Sequence, residues 1–87
     1  MVWAPNAIRE IRRIHDYISP INPRAAAHLA EKLFDTGQSL ASNPNRGRPV
    51  AGRPWRELVI VYPYIIRYQV VGDVVRILRV RHGMRLQ

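Results

Sequence analysis

The chain has 87 residues, 47% of them apolar, and a net charge of +8 from 14 Lys and Arg against 6 Asp and Glu. That length is one domain, spanning residues 1–87, and a domain of this size buries only roughly 60–65% of the surface its unfolded chain exposes. Cysteine is absent, which excludes a disulfide framework and a thiolate metal site, and no apolar run approaches the ~18–20 residues that span a bilayer.

The chain opens on Met1-Val2-Trp3-Ala4-Pro5, which lacks the charged-then-apolar pattern of a secretory signal, so a cytoplasmic location is expected. Val2-Trp3 is a candidate short strand, shortened because the sequence begins almost at Trp3. A first helix is predicted from about Pro5 to Ile18. Pro5 suits the first helical position, where its missing N–H costs nothing. Ile8, Ile11, Ile14 (or His15) and Ile18 recur at helical spacing, with Arg9, Arg12, Arg13 and Asp16 on the other face. Ser19-Pro20 ends it, because the residue before proline avoids helical angles.

A second helix starts at Asn22 as N-cap with Pro23 in its first turn. Its apolar stripe is Ala26, Leu29, Ala30, Leu33, Phe34, Gly37 and Leu40, and Ala25-Ala26-Ala27 permits close approach to the first helix. The two predict an antiparallel helical hairpin.

Ser42 to Pro54, with three Pro, two Gly, two Asn and three Arg, reads as a loop. Three strands follow, near Arg56–Tyr62, Tyr64–Val71 and Val74–His82. Val71-Gly72-Asp73-Val74 is a two-residue hairpin, and glycine at its first turn position suits type II′. The last strand changes phase, from Val75 and Ile77 to Leu78, Val80 and His82. That predicts either a bulge or a strand buried on both faces. The expected fold is α+β: the helical hairpin packed on one face of a three- to four-stranded antiparallel sheet.

The charge is uneven. Residues 1–41 hold five basic and four acidic groups; residues 42–87 hold nine basic and two acidic. Such a field attracts nucleic acid or an acidic protein. Arg67, Arg76, Arg79, Arg81 and Arg85, with Tyr62 and Tyr64 nearby, would supply the surface. His15, His28 and His82 show no metal-binding spacing, so no metal and no cofactor are expected. His15 is expected beside the core face of the first helix and His28 in solvent. There is no phosphate-cradling glycine loop and no Gly-x-Ser-x-Gly elbow. General acid–base cleavage of RNA is the catalytic chemistry the residue types allow. It needs a proton acceptor, a proton donor and cations on the phosphorane, and His82, Glu57, Tyr64, Tyr68 and the C-terminal arginines are of those types.

Three stretches carry a family resemblance. They are Trp3-x3-Ala7-x3-Ile11-x2-Ile14-x2-Tyr17-Ile18, then Leu40-x3-Pro44-x2-Gly47-Arg48-Pro49 followed by Arg56-Glu57-Leu58. The third is Tyr64-Ile65-Ile66-Arg67-Tyr68 with Val75-x-Ile77-Leu78-x-Val80-x-His82-Gly83-x-Arg85. In this order they resemble the RelE/ParE superfamily of toxins from type II toxin–antitoxin pairs. RelE-type members cut mRNA on the ribosome, and their middle strand reads Tyr-Arg-Leu-x-Tyr with a catalytic first arginine. Here that place holds Ile65, and Arg67 follows two positions later on the same strand face. RelE-type chains often carry a further C-terminal segment with catalytic groups, which is not expected in a sequence ending at Gln87.

The ending His82-Gly83-Met84-Arg85 resembles the ParE branch, whose members poison DNA gyrase without enzymatic activity. The resemblance therefore implies a gyrase inhibitor neutralised by a cognate antitoxin in a hetero-oligomer. Its target surface is expected at Arg48, Arg53, Trp55, Arg56, Arg76, Arg79, Arg81, His82 and Arg85. Antitoxin contacts are expected at Trp3, Ile11, Leu29, Leu33 and Phe34 on the helical hairpin. The alternative is a ribosome-dependent mRNA endonuclease using His82, Arg67, Arg81 and Arg85.

Overall fold

A computed structural model describes residues 1–60 and 62–83. The elements are β1 (Val2–Trp3), α1 (Pro5–Ile18), α2 (Pro23–Ser39), β2 (Arg48–Pro49), β3 (Arg56–Val59), β4 (Tyr64–Val71) and β5 (Val74–His82). Both helices follow the sequence signals closely. The Asn22 side chain accepts the Ala25 N–H at 3.0 Å and Pro23 stands in the first turn, so α2 begins where its cap dictates.

The strands form one sheet in the order β1-β5-β4-β3-β2. Five strands replace the expected three to four, and the sheet is not purely antiparallel. β1 runs parallel to β5, pairing Val2 with Arg76 and Trp3 with Ile77. The segment read as loop contains β2, which pairs Arg48 with Glu57 and Pro49 with Arg56. Proline is tolerated there because β2 is an edge strand. β3 is shorter than predicted and ends at Val59; Ile60 donates its N–H to the Tyr64 carbonyl in the turn into β4.

The phase change in β5 is a bulge. Arg67 pairs with Arg79 but Tyr68 pairs with Ile77, so Leu78 is the extra residue. Inward positions shift from Val75 and Ile77 to Val80 as a result, and all three are buried. Gly72, at φ 59°, opens the β4–β5 turn as the hairpin chemistry requires.

The core joins Ala7, Leu33 and Leu40 to Ile66, Tyr68, Val75, Ile77 and Val80, with Trp3, Ile11 and Ile14 packed against it. Each fully buried large side chain contributes roughly 1.5–3 kcal/mol relative to exposure. Ile8, expected on the core face of α1, is outside it at 47% exposed, and Phe34, of the α2 stripe and an expected antitoxin contact, is 41% exposed. Helical spacing fixes a stripe but not its width. Ala7, one position from Ile8, turns its small side chain into the contact instead.

Candidate target surface and partner groove

Three constellations of candidate side chains result from this topology. The first follows the sheet register. Arg48, Glu57, Arg67 and Arg79 stand in one cross-strand row, and Val59, Ile65 and Arg81 in another. Glu57 lies between two arginines and takes Arg67, whose Nε and terminal nitrogen both reach one carboxylate oxygen at 3.0 Å. Trp55 packs beside this pair. Arg67 stands over its ring at 4.7 Å from the centroid and Arg53 at 5.3 Å. The Trp55 indole N–H is buried and has no acceptor among the described residues.

Tyr68 fixes the loop that carries Arg48. Its hydroxyl donates to the Pro44 carbonyl at 2.6 Å and accepts the Gly47 N–H at 2.7 Å. Arg56 closes the arrangement by donating to the Gly47 carbonyl at 2.7 Å. Position 47 must be glycine for this approach, because a Cβ there would come within 2.6 Å of the Tyr68 ring.

The second constellation is the C-terminal end of β5. β1 pairs with β5 only as far as Ile77, and beyond it the β5 edge is taken by a side chain. Glu10 of α1 accepts the Val80 N–H at 2.8 Å and the Arg79 guanidinium at 2.8 and 2.7 Å. The bond to Glu10 raises the Arg79 pKa above its ordinary value, partly opposed by burial. Arg81 and His82 follow directly. His82 pairs with Tyr64 across the strands, and their rings meet edge-on at 5.2 Å between centroids. Both Arg81 and His82 line a small cleft with Glu57, Ile65 and Arg67, and both also line a second cleft against α1.

The third constellation is an apolar groove of about 410 Å³ between the helices, lined by Trp3, Ile8, Ile11, Ala30 and Phe34 with Arg12 and His15 at its edges. Trp3 anchors it. Its ring meets Phe34 edge-on at 4.9 Å, its indole N–H donates to Gln38 at 2.7 Å, and it packs over Gly37, where no side chain intervenes.

A model of the ParE toxin of type II toxin–antitoxin systems, parDE, matches residues 1–87. The chain belongs to the ParE toxin family of type II toxin–antitoxin systems. Toxin RelE2 of Caulobacter vibrioides is 44% identical over 86 residues, covering 99% of this chain and 97% of that protein. Toxin RelE1 of the same organism is 37% identical over 81 residues, covering 90% of this chain and 86% of its own. The fold is that of a solved chain of the chromosomal ParDE TA system from P. aeruginosa. It superposes with a TM-score of 0.80 at 24% identity, covering 92% of this chain and 90% of that one.

The protein is thus the toxin of a toxin–antitoxin pair, and its partner class is an antitoxin. No helix among the described residues is long and apolar enough to cross a membrane. Among the described residues no three His, Cys, Asp or Glu side chains group as a metal site.

Against this ParE-family frame, the sequence-derived site residues divide. Trp3, Ile11 and Phe34 share the inter-helix groove. Leu33 does not: it is fully buried in the core and has no surface for an antitoxin. Leu29 lies on a different face of α2, beside His28 and Lys32. Arg48, Arg53 and Arg76 are exposed as expected. Arg79 is tied to Glu10 and Arg56 to the Gly47 carbonyl, so each serves the fold as well as the surface. Tyr68, one of the residues of RNA-cleaving type, is fully buried and reaches no substrate. Arg85 lies outside the described residues. Sequence reasoning missed Ile8 as a groove residue and Glu10 altogether. An isoleucine in the helical stripe gave the first signal a core interpretation, and a partner 69 residues away gave no signal for the second.

Proposed function

We infer that this toxin acts by binding DNA gyrase, without catalysing a reaction, and that its cognate antitoxin neutralises it. One observation carries the reading. Ile65 occupies the central strand between Val59 and Arg81, at the place where resemblance to RelE nucleases calls for a catalytic arginine. The next cation along that strand face, Arg67, is held by Glu57 and stacked on Trp55. A guanidinium already matched to a carboxylate gives a phosphorane little extra stabilisation. The exposed Arg48, Arg53 and Arg76, with Arg81, form instead a basic face suited to an acidic protein surface.

The inter-helix groove is the proposed antitoxin seat. An amphipathic helix fits it, with apolar residues against Trp3, Ile8 and Phe34 and acidic residues towards Arg12. Purified toxin is expected to block supercoiling by gyrase in vitro, and the cognate antitoxin to restore it. Unaffected supercoiling at a large toxin excess sinks this reading.

The second reading, a ribosome-dependent mRNA endonuclease, is favoured by the cleft that gathers His82, Arg81, Arg67 and Glu57, and by relatives named RelE1 and RelE2. It predicts cleaved message in a translating extract, lost on His82→Ala.

A further inference from the structure

We propose that the cleft between α1 and the end of β4 and β5 binds single-stranded nucleic acid, with a backbone phosphate inside and a base stacked on Tyr17 at its rim. The cleft encloses about 200 Å³ and is lined by Arg13, Ile14 and Tyr17 from α1 and by Tyr64, Arg81 and His82 from the sheet. Its one carboxylate, Glu10, is already committed to Arg79 and the Val80 N–H. Arg13 and Arg81 have no acidic partner among the described residues. Two uncompensated guanidinium groups therefore border one small space, beside an imidazole and two phenols. Donors arriving from several directions suit a tetrahedral oxyanion; a carboxylate is satisfied by a single guanidinium fork.

Size determines how a nucleotide would sit. The cleft, at about 200 Å³, is smaller than the roughly 300–1,000 Å³ of pockets that enclose whole small ligands. A phosphate enters and its base stays outside. The ring outside is Tyr17, 69% exposed in the last turn of α1. Sequence-tolerant single-strand binders pair a cationic track with such rings, because every base has a π-face. A duplex keeps those faces stacked and gains nothing from Tyr17. The inference does not rest on the gyrase reading: Arg81 is shared with the basic face invoked there, but Arg13 and Tyr17 belong to α1 and take no part in it.

The test is fluorescence anisotropy on the full-length toxin. The probes are labelled single strands of DNA and RNA of about 12 nucleotides, within the usual single-strand site size. A DNA duplex and a polyglutamate of equal charge complete the set. Arg13→Gln is expected to weaken single-strand binding about 5- to 10-fold and to flatten the salt dependence by roughly 0.7 in slope. Tyr17→Ala is expected to weaken it about tenfold with the slope unchanged. Arg24→Gln, an exposed arginine of α2 removing the same charge, is the control and should change affinity less than about twofold. Stronger binding to RNA or to DNA identifies which strand the site takes, and equal binding supports recognition by backbone and ring alone. Equal losses in Arg13→Gln and Arg24→Gln overturn the proposal, because net charge then explains the attraction. Polyglutamate binding as tight as the single strand and equally sensitive to Tyr17→Ala overturns it in favour of an acidic protein segment. Gyrase is absent from the assay, so failure here leaves the gyrase reading untouched.

Discussion

At Gly37 a single hydrogen atom decides where Trp3 lies. A Cβ at that position would come within 2.4 Å of the Trp3 ring, far inside van der Waals contact. Gly37→Ala therefore displaces Trp3, the wall of the inter-helix groove, and loosens its bond to Gln38. The expected cost is about 1–3 kcal/mol in denaturant unfolding, despite the better helix propensity of alanine. Tyr68 is decisive in another way, since one hydroxyl serves two backbone groups. Tyr68→Phe leaves the Gly47 N–H and the Pro44 carbonyl without it, and the expected cost is about 1–3 kcal/mol. Hydrogen exchange at Gly47 should accelerate well before global unfolding; unchanged protection there would show that the loop holds itself.

At the scale of the element, β5 depends on a residue outside the sheet. Glu10 completes its edge where β1 stops, so Glu10→Ala should cost about 1–2 kcal/mol, limited by the partial exposure of Arg79. The Val80 amide is the local reporter, and its exchange should quicken more than that of Ile77. The raised Arg79 pKa sets the pH behaviour. Stabilisation from a raised group is full below its unfolded pKa and is lost only as pH climbs through the folded one. The stability gap between wild type and Glu10→Ala should thus persist, without an Arg79-driven loss, from about pH 6 to 9. A gap that closes at the alkaline end of that window would assign the effect to another group.

The elements themselves differed in how far the sequence disclosed them. Pro5 and Pro23 in the first turns and the Asn22 cap marked where α1 and α2 begin, while the broken alternation around Leu78 allowed a bulge or a strand buried on both faces, and the register with β4 decides for the bulge. β1 and β2 have two residues each, too few for a period, and their pairing is set by partners far along the chain. The groove was half legible for a similar reason. Periodicity grouped Leu33 with Phe34, and only packing against the sheet distinguished the buried one from the exposed one.

For the whole molecule, a mixed sheet covered on one face by the helical hairpin leaves two unlike surfaces. One is the apolar groove between the helices; the other is the basic face of the sheet with the end of β5. Two surfaces permit separable losses of function. Ile8→Glu puts a charge in the groove at an exposed site, so it should weaken antitoxin binding at least about tenfold by calorimetry while thermal stability is retained. Its toxicity should persist, and loss of both together would mean that the two surfaces are one. Growth arrest on expression without antitoxin should accompany an active toxin, and its absence would leave a chain that only binds its partner.

The most direct measurement is supercoiling by purified gyrase, run beside a translating extract with the same toxin preparation. Blocked supercoiling with intact message is the predicted result. Normal supercoiling with cleaved message, abolished by His82→Ala, would contradict the gyrase reading and make the toxin a nuclease despite Ile65.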